Sequence, residues 1–195
     1  MNWIQHPIVL EGKKVKLIPL DNSHFNEMVE VARQKEIWKH VSIDCSVPET
    51  MMLELKTNIL KRASGEKYTF TVVDKLQNKI IGSTSLHNIF PQHRKVEIGW
   101  TWYDPAYWGS GYNTECKLLL LTYCFEVLKT VRVQLVTDEN NLRSRGAIQK
   151  IGGKFEGVHR KERIKSDGNF RNTAMFSIPD DEWEGVKDGL IKLIG

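Results

Sequence analysis

The sequence predicts a single α+β domain. Three observations carry this: stretches of alternating apolar and polar residues, amphipathic stretches at helical spacing, and glycine-, proline- or asparagine-rich turns that separate the two kinds. In "KKVKLIPLD", Val15, Leu17 and Pro19 alternate against lysines, which reads as an edge strand. "SHFNEMVEVARQ" repeats Phe25, Met28, Val29 and Ala32 at helical spacing behind a Ser23 or Asn22 cap, and "PETMMLELKTNILKRASGEK" is a second helix with Pro48 at its start and Gly65 at its stop. "YTFTVV", "KIIGSTSLHNIF" and "KVEIGWTWYD" follow as three strands of an antiparallel meander. "TECKLLLLTYCFEVL" is a helix, "VRVQLVT" a strand, and "NLRSRGAIQKIGG" a short helix stopped by glycines. "KFEGVHRKERIKSDGNFRNTAMFSI" is a hairpin turning at Asp167 and Gly168, and "DDEWEGVKDGLIKLI" is a closing amphipathic helix. This order implies a mixed, twisted and mostly antiparallel sheet with helices on both faces.

At 195 residues, with 41% hydrophobic and 27% charged residues, residues 1–195 are expected to form one domain. The start "MNWIQHPIVLEGKK" has no secretory pattern, and no stretch reaches the roughly 20 apolar residues that span a bilayer, so a cytoplasmic protein without membrane contact is expected. Cys45, Cys116 and Cys124 form no CxxC pair. The last two lie on one helix, about 12 Å apart along its axis, too far for a disulfide, so reduced buried thiols are expected. The histidines have no metal-ligand spacing, so no metal is expected. A net charge of +4 favours anionic partners without choosing among them.

The segment "YDPAYWGSGYNTECK", residues 103–117, runs from a strand through a turn with Gly109 and Gly111 into a helix. Consecutive backbone N–H groups at a helix N-terminus bind anions, and glycine lets the chain approach the ligand. Asn113 or Thr114 is the expected helix cap. An ordinary turn and cap reads the same segment equally simply. P-loop and dinucleotide spacings are absent.

The segment "VEIGWTWYDPAYWGSGYNTE" resembles the coenzyme strand, loop and helix of the GNAT acetyltransferase superfamily. "VTDENNLRSRGAIQKIGGKFEG" is similar to a downstream segment of its RimJ/RimL-like ribosomal-protein N-acetyltransferase branch. Trp108 and Asn113 depart from the usual Gln/Arg-x-x-Gly-x-Gly/Ala pattern at its first and last positions. The resemblance implies a GNAT-like fold with a splayed central strand pair, acetyl-CoA as cosubstrate, and an amine acceptor that is a protein N-terminus or a small molecule. Pyrophosphate is then expected on the amides of Trp108, Gly109, Ser110, Gly111, Tyr112 and Asn113, and the pantetheine arm along the backbone of Trp100, Thr101 and Trp102.

Acetyl transfer also needs a base for the ammonium and a proton for the departing thiolate. Glu97 is the first candidate base, acting through a water, with Glu162 in reserve; the competing reading of Glu97 is a solvated strand carboxylate paired with Lys95 or Arg94. Glu115 reads as a structural acid favoured by the helix dipole. The position that carries a donor Tyr in many superfamily members is Ile148 here. The resemblance therefore points to Ser144 as proton donor and Asn141 as partner of the pantetheine amide, against a plain reading of both as helix-start residues. Alternatives are acetylation of a polyamine or aminoglycoside, or a non-catalytic RNA- or ribosome-binding protein using "HRKERIK" and the tryptophans. Monomer and homodimer both remain open.

Overall fold

The computed structural model describes residues 3–165 and 167–195. Its strands are β1 (Leu10–Glu11), β2 (Val15–Pro19), β3 (Lys67–Asp74), β4 (Lys79–Phe90), β5 (Lys95–Tyr103), β6 (Arg132–Asp138), β7 (Lys154–Ile164) and β8 (Phe170–Pro179). The helices are α1 (Phe25–Ala32), α2 (Pro48–Ala63), α3 (Tyr112–Thr122), α4 (Leu142–Lys150) and α5 (Trp183–Ile194). All eight strands form one sheet in the order β1-β2-β3-β4-β5-β6-β8-β7. Every pairing is antiparallel except β5 with β6, which the α3 crossover connects in parallel.

The expected elements are all present, with three local corrections. The strand read as an edge is covered by β1, whose Leu10 and Glu11 pair with Leu17 and Lys16; two residues are too few to show a periodicity. The cap before α1 is Asp21 rather than Ser23 or Asn22: Oδ1 accepts from the Ser23 amide at 3.0 Å and the Asp21 amide donates to His24 Nδ1 at 3.2 Å. Third, α3 continues as a π-helical turn over Tyr123–Val127, a winding that helical propensity does not distinguish. Pro48 does open α2, and Gly65 leaves it with φ +77°.

Two apolar cores lie on the two faces of the sheet. On one, Cys116, Leu120 and Leu121 of α3, Ile148 of α4 and Leu190 of α5 pack over Leu17, Phe70, Leu86, Val133 and Phe176. On the other, Phe25 and Met28 of α1 and Met51 and Leu55 of α2 pack with Leu20 and Ile80. Burying each such side chain contributes about 1.5–3 kcal/mol. All three cysteines are free and buried, and burial pushes the Cys45 and Cys116 thiols up to about 12, so neither is a ready nucleophile.

The site is prepared where β5 and β6 part. Their parallel pairing covers only Lys95–Glu97 against Arg132–Gln134. Just beyond, β4 pairs Ser85 with Gly99 but Ser83 with Trp102, so Trp100 and Thr101 together oppose Thr84. Trp100 sits at φ +49° in this bulge. A bulge bends and twists its strand, and here the bend falls where β5 leaves β6.

Candidate functional site

Between the parted strands lies a cavity of about 330 Å³. The end of β5 (98–103), the end of β6 (135–138), the start of α3 and the inner side of α4 line it.

At the α3 end, Gly109 and Gly111 adopt φ +76° and +89°, conformations an L side chain rarely takes, and a Cβ on either would meet no protein atom within 4 Å. Open space, not protein, therefore lies where a side chain would stand. Gly111 is itself the N-cap of α3, and no side chain caps the helix, so the expected capping by Asn113 or Thr114 is not what forms. Among the described residues, the amides of Gly109, Gly111, Tyr112, Asn113 and Thr114 donate to no protein acceptor. The expected cradle of Trp108 to Asn113 is thereby corrected. Residues 105–107 make a 3₁₀ turn, so the Trp108 amide donates to Pro105 O at 3.0 Å and the Ser110 amide to Tyr107 O at 3.4 Å. Such a fan of free amides at the positive end of a helix suits a pyrophosphate. Ser110 and Tyr112 do not line the cavity: Ser110 Oγ donates to Tyr107 O, and Tyr112 packs edge-on against Tyr107. Trp108 lines the cavity, with the Arg143 guanidinium 3.4 Å from its ring centroid.

The β5 wall carries Trp100, Thr101 and Trp102. Glu97 is not a solvated strand acid. It is 2% exposed, and Oε2 accepts from Asn88 Nδ2 at 3.0 Å and Gln134 Nε2 at 2.9 Å. The anticipated partners are occupied elsewhere: Arg94 bonds the Lys129 carbonyl and Lys95 lies over the Phe90 ring. Burial raises the Glu97 carboxyl above its ordinary value, against those two hydrogen bonds. Directly across the β4–β5 ladder stands His87, with Nε2 3.3 Å from Glu97 Oε1. Among the described residues neither atom has a hydrogen-bond partner, and both residues line the cavity. Burial, reinforced by the Lys67 and Arg163 charges, holds His87 down at about 3, so its imidazole is neutral at pH 7. The ring fits because residue 99 is glycine; a Cβ there would lie 2.5 Å from His87 Nε2.

Glu162, the reserve base, does not line the cavity. It is held by Thr173 Oγ1 at 2.7 Å and Arg163 Nε at 3.0 Å, and these hydrogen bonds and nearby arginines lower its carboxyl despite partial burial. Glu115 is a structural acid in the first turn of α3, with a further contact that the sequence did not show. Its carboxylate accepts from the amides of Lys13 and Lys14, tying α3 to the turn before β2.

On the α4 wall, Asn141 is the N-cap, its Oδ1 accepting from the Ser144 amide at 3.0 Å. The Ser144 hydroxyl has no hydrogen bond among the described residues, and Asn141, Ser144 and Ile148 all line the cavity.

Lys117 was not foreseen. It is 5% exposed and lines the cavity from α3, with Nζ 2.8 Å from Thr101 Oγ1 and 3.4 Å from Thr84 Oγ1. Among the described residues it has no carboxylate partner. Burial lowers it to about 8. A lysine lowered from 10.5 to about 8 on folding makes stability rise with pH between those values, because the unfolded chain there holds more protons. Wild type is therefore expected to gain about 3 kcal/mol relative to Lys117→Met as pH climbs through that window, read from urea midpoints.

A family profile described as an acetyltransferase (GNAT) domain matches residues 14–154. "Probable N-acetyltransferase YjcK" of Bacillus subtilis is 30% identical over 181 residues, 89% of this chain and 99% of that protein. "Putative ribosomal N-acetyltransferase YdaF" of the same organism is 34% identical over 108 residues, but the match covers only 55% of this chain and 58% of that protein. Among solved structures, a GCN5-related N-acetyltransferase from Brucella melitensis superposes with a TM-score of 0.88 at 26% identity, covering 96% of this chain and 86% of that one.

Proposed function

Since this chain belongs to the GNAT acetyltransferase family and uses acetyl-CoA as cosubstrate, we propose that it acetylates a primary amine in the cleft between β5 and β6, with Glu97 as the base. The observation that carries this reading is the buried pair Glu97 Oε1 and His87 Nε2, 3.3 Å apart on the cavity wall with neither atom satisfied. A water in the cleft beside this pair takes the proton from the acceptor's ammonium, freeing the amine to attack, and passes it to Glu97, whose affinity for protons burial raises. Asn88 and Gln134 hold the carboxylate in place from its other oxygen. The free amides from Gly109 to Thr114 support pyrophosphate binding. The exposed edge of β5 supports strand-like pairing with the pantetheine arm, and its N–H groups polarise the thioester carbonyl.

For the departing thiolate, the reading assigns Ser144 as proton donor and Asn141 as partner of a pantetheine amide. Ser144→Ala is expected to lower kcat roughly 10- to 1,000-fold with little change in coenzyme affinity, since a general acid acts in the transition state. Asn141→Ala is expected to weaken coenzyme binding, a contact made already in the ground state. Steady-state kinetics beside calorimetric coenzyme titration separate the two. Wild-type turnover by Ser144→Ala, with chemistry shown to be rate-limiting, reduces Ser144 to a helix-start residue. As acceptor we propose a protein N-terminus, which the partial similarity to YdaF supports through that protein's name alone. Residues 1–195 act as one domain in this reading.

A further inference from the structure

Two arginines meet on the cavity wall near Glu97 and His87. Arg163 of β7 and Arg171 of β8 are direct partners across the hairpin, and both line the cavity. Like charges placed opposite one another on a sheet destabilise it unless something of opposite sign lies between them. Arg163 has one acid in hand, with its Nε 3.0 Å from Glu162 Oε2. Arg171 has none. It is only 7% exposed, its Nε is buried without a partner, and among the described residues its side chain makes no hydrogen bond or ion pair. Asp138, Glu162 and Glu97 lie near enough to act on it through space, yet none of them bonds it, and the one unpartnered oxygen of Glu97, Oε1, stands opposite His87 Nε2. Asp138 Oδ1 accepts from the Asn140 amide, Glu162 from Thr173 and Arg163, and Glu97 from Asn88 and Gln134. Burial and the facing Arg163 charge both press against the Arg171 cation. A buried guanidinium left with free donors in a cavity is a fork waiting for a planar anion, and carboxylate fits that fork in two-pronged fashion.

We infer that Arg171 and Arg163 form an anion subsite in the acceptor half of the cleft, and that the amine acetylated here carries a carboxylate a few bonds from its nitrogen. The inference rests on the acetyl-transfer reading only for where the amine reacts. The anion itself is called for by the two facing arginines. The subsite also works against polycationic acceptors, because a polyamine or aminoglycoside would bring further positive charge toward Arg171.

The test compares acceptors matched in shape and differing in charge, with the full chain and acetyl-CoA. One pair is β-alanine and its amide; the other is the peptide Ser-Asp-Gly-Ala amide and its Ser-Asn counterpart. The two pairs distinguish a free amino acid from an acidic protein N-terminus as the source of the carboxylate. The expected result is a kcat/KM at least roughly 10-fold higher for the carboxylate member of one pair, the size of one charge-assisted contact, falling toward parity in Arg171→Met and partly restored in Arg171→Lys. Arg163→Met, on the more open strand, gives the same reading if Arg171→Met does not fold. Equal rates within both pairs, faster turnover of spermidine, or a preference unchanged in the variants overturns the inference. If no amine is acetylated, the acetyl-transfer reading fails separately. The subsite is then read directly by calorimetry with succinate and with neutral succinamide. Succinate binding that is selective over succinamide and lost in Arg171→Met upholds it, and equal binding by both proteins overturns it.

Discussion

Replacing Glu97 by Gln lowers kcat/KM roughly 100- to 10,000-fold, the range in which a positioned general base contributes. The substitution is close to isosteric, and the amide oxygen still accepts from Asn88 or Gln134, so the wall of the cleft survives. What disappears is an atom able to accept the ammonium proton. Coenzyme affinity is expected to stay near wild type, because Glu97 lies on β5 away from the loop that carries the free amides. The wild-type pH dependence follows from the sign of the shift. Burial raises the carboxyl above its ordinary 4.5, so activity falls as pH drops through a window lying above 4.5. Wild-type turnover by the Gln variant, with chemistry rate-limiting, removes Glu97 from the mechanism.

The elements were legible because each carries its own local chemistry. Val15 and Leu17 alternate and are fully buried, Phe25, Met28, Val29 and Ala32 recur at helical spacing and are all buried, and Gly65 stops α2. The glycine turn before α3 was legible for the same reason, since glycine marks positions where the backbone takes a conformation that side chains resist. The polar wall was not. His87 reaches Glu97 only through the register of the β4–β5 ladder, which shifts between His87 and Phe90 and again between Ser83 and Ser85. Arg163 and Arg171 face each other only because β7 is bulged between His159 and Arg163, with Lys161 at φ +52°. The register slips there by two residues, from His159 opposite Thr173 to Arg163 opposite Arg171, so without the bulge Arg171 would face Lys161 instead. Lys117 reads in sequence as one polar residue in an apolar helix. Its burial follows from two threonines on β4 and β5 that are distant in the chain.

The second large effect belongs to Gly111. A valine there must hold φ near +89°, which L side chains resist, and it stands at the N-cap of α3, beside the free amides. The protein offers no steric objection, since nothing lies within 4 Å of that Cβ, so on the proposed placement of the coenzyme the collision falls on its pyrophosphate. Losing two charge-assisted hydrogen bonds at about 1.5 kcal/mol each weakens coenzyme affinity roughly 100-fold. Gly111→Ala, with the same backbone demand and less bulk, is expected to lie between the two. The direct test of acetyl-CoA binding on this loop is a calorimetric titration of coenzyme A into wild type, Gly111→Ala and Gly111→Val, each confirmed folded by circular dichroism. The account predicts a graded loss of affinity in that order. Unchanged affinity in a folded Gly111→Val protein contradicts it and sends the coenzyme to another surface.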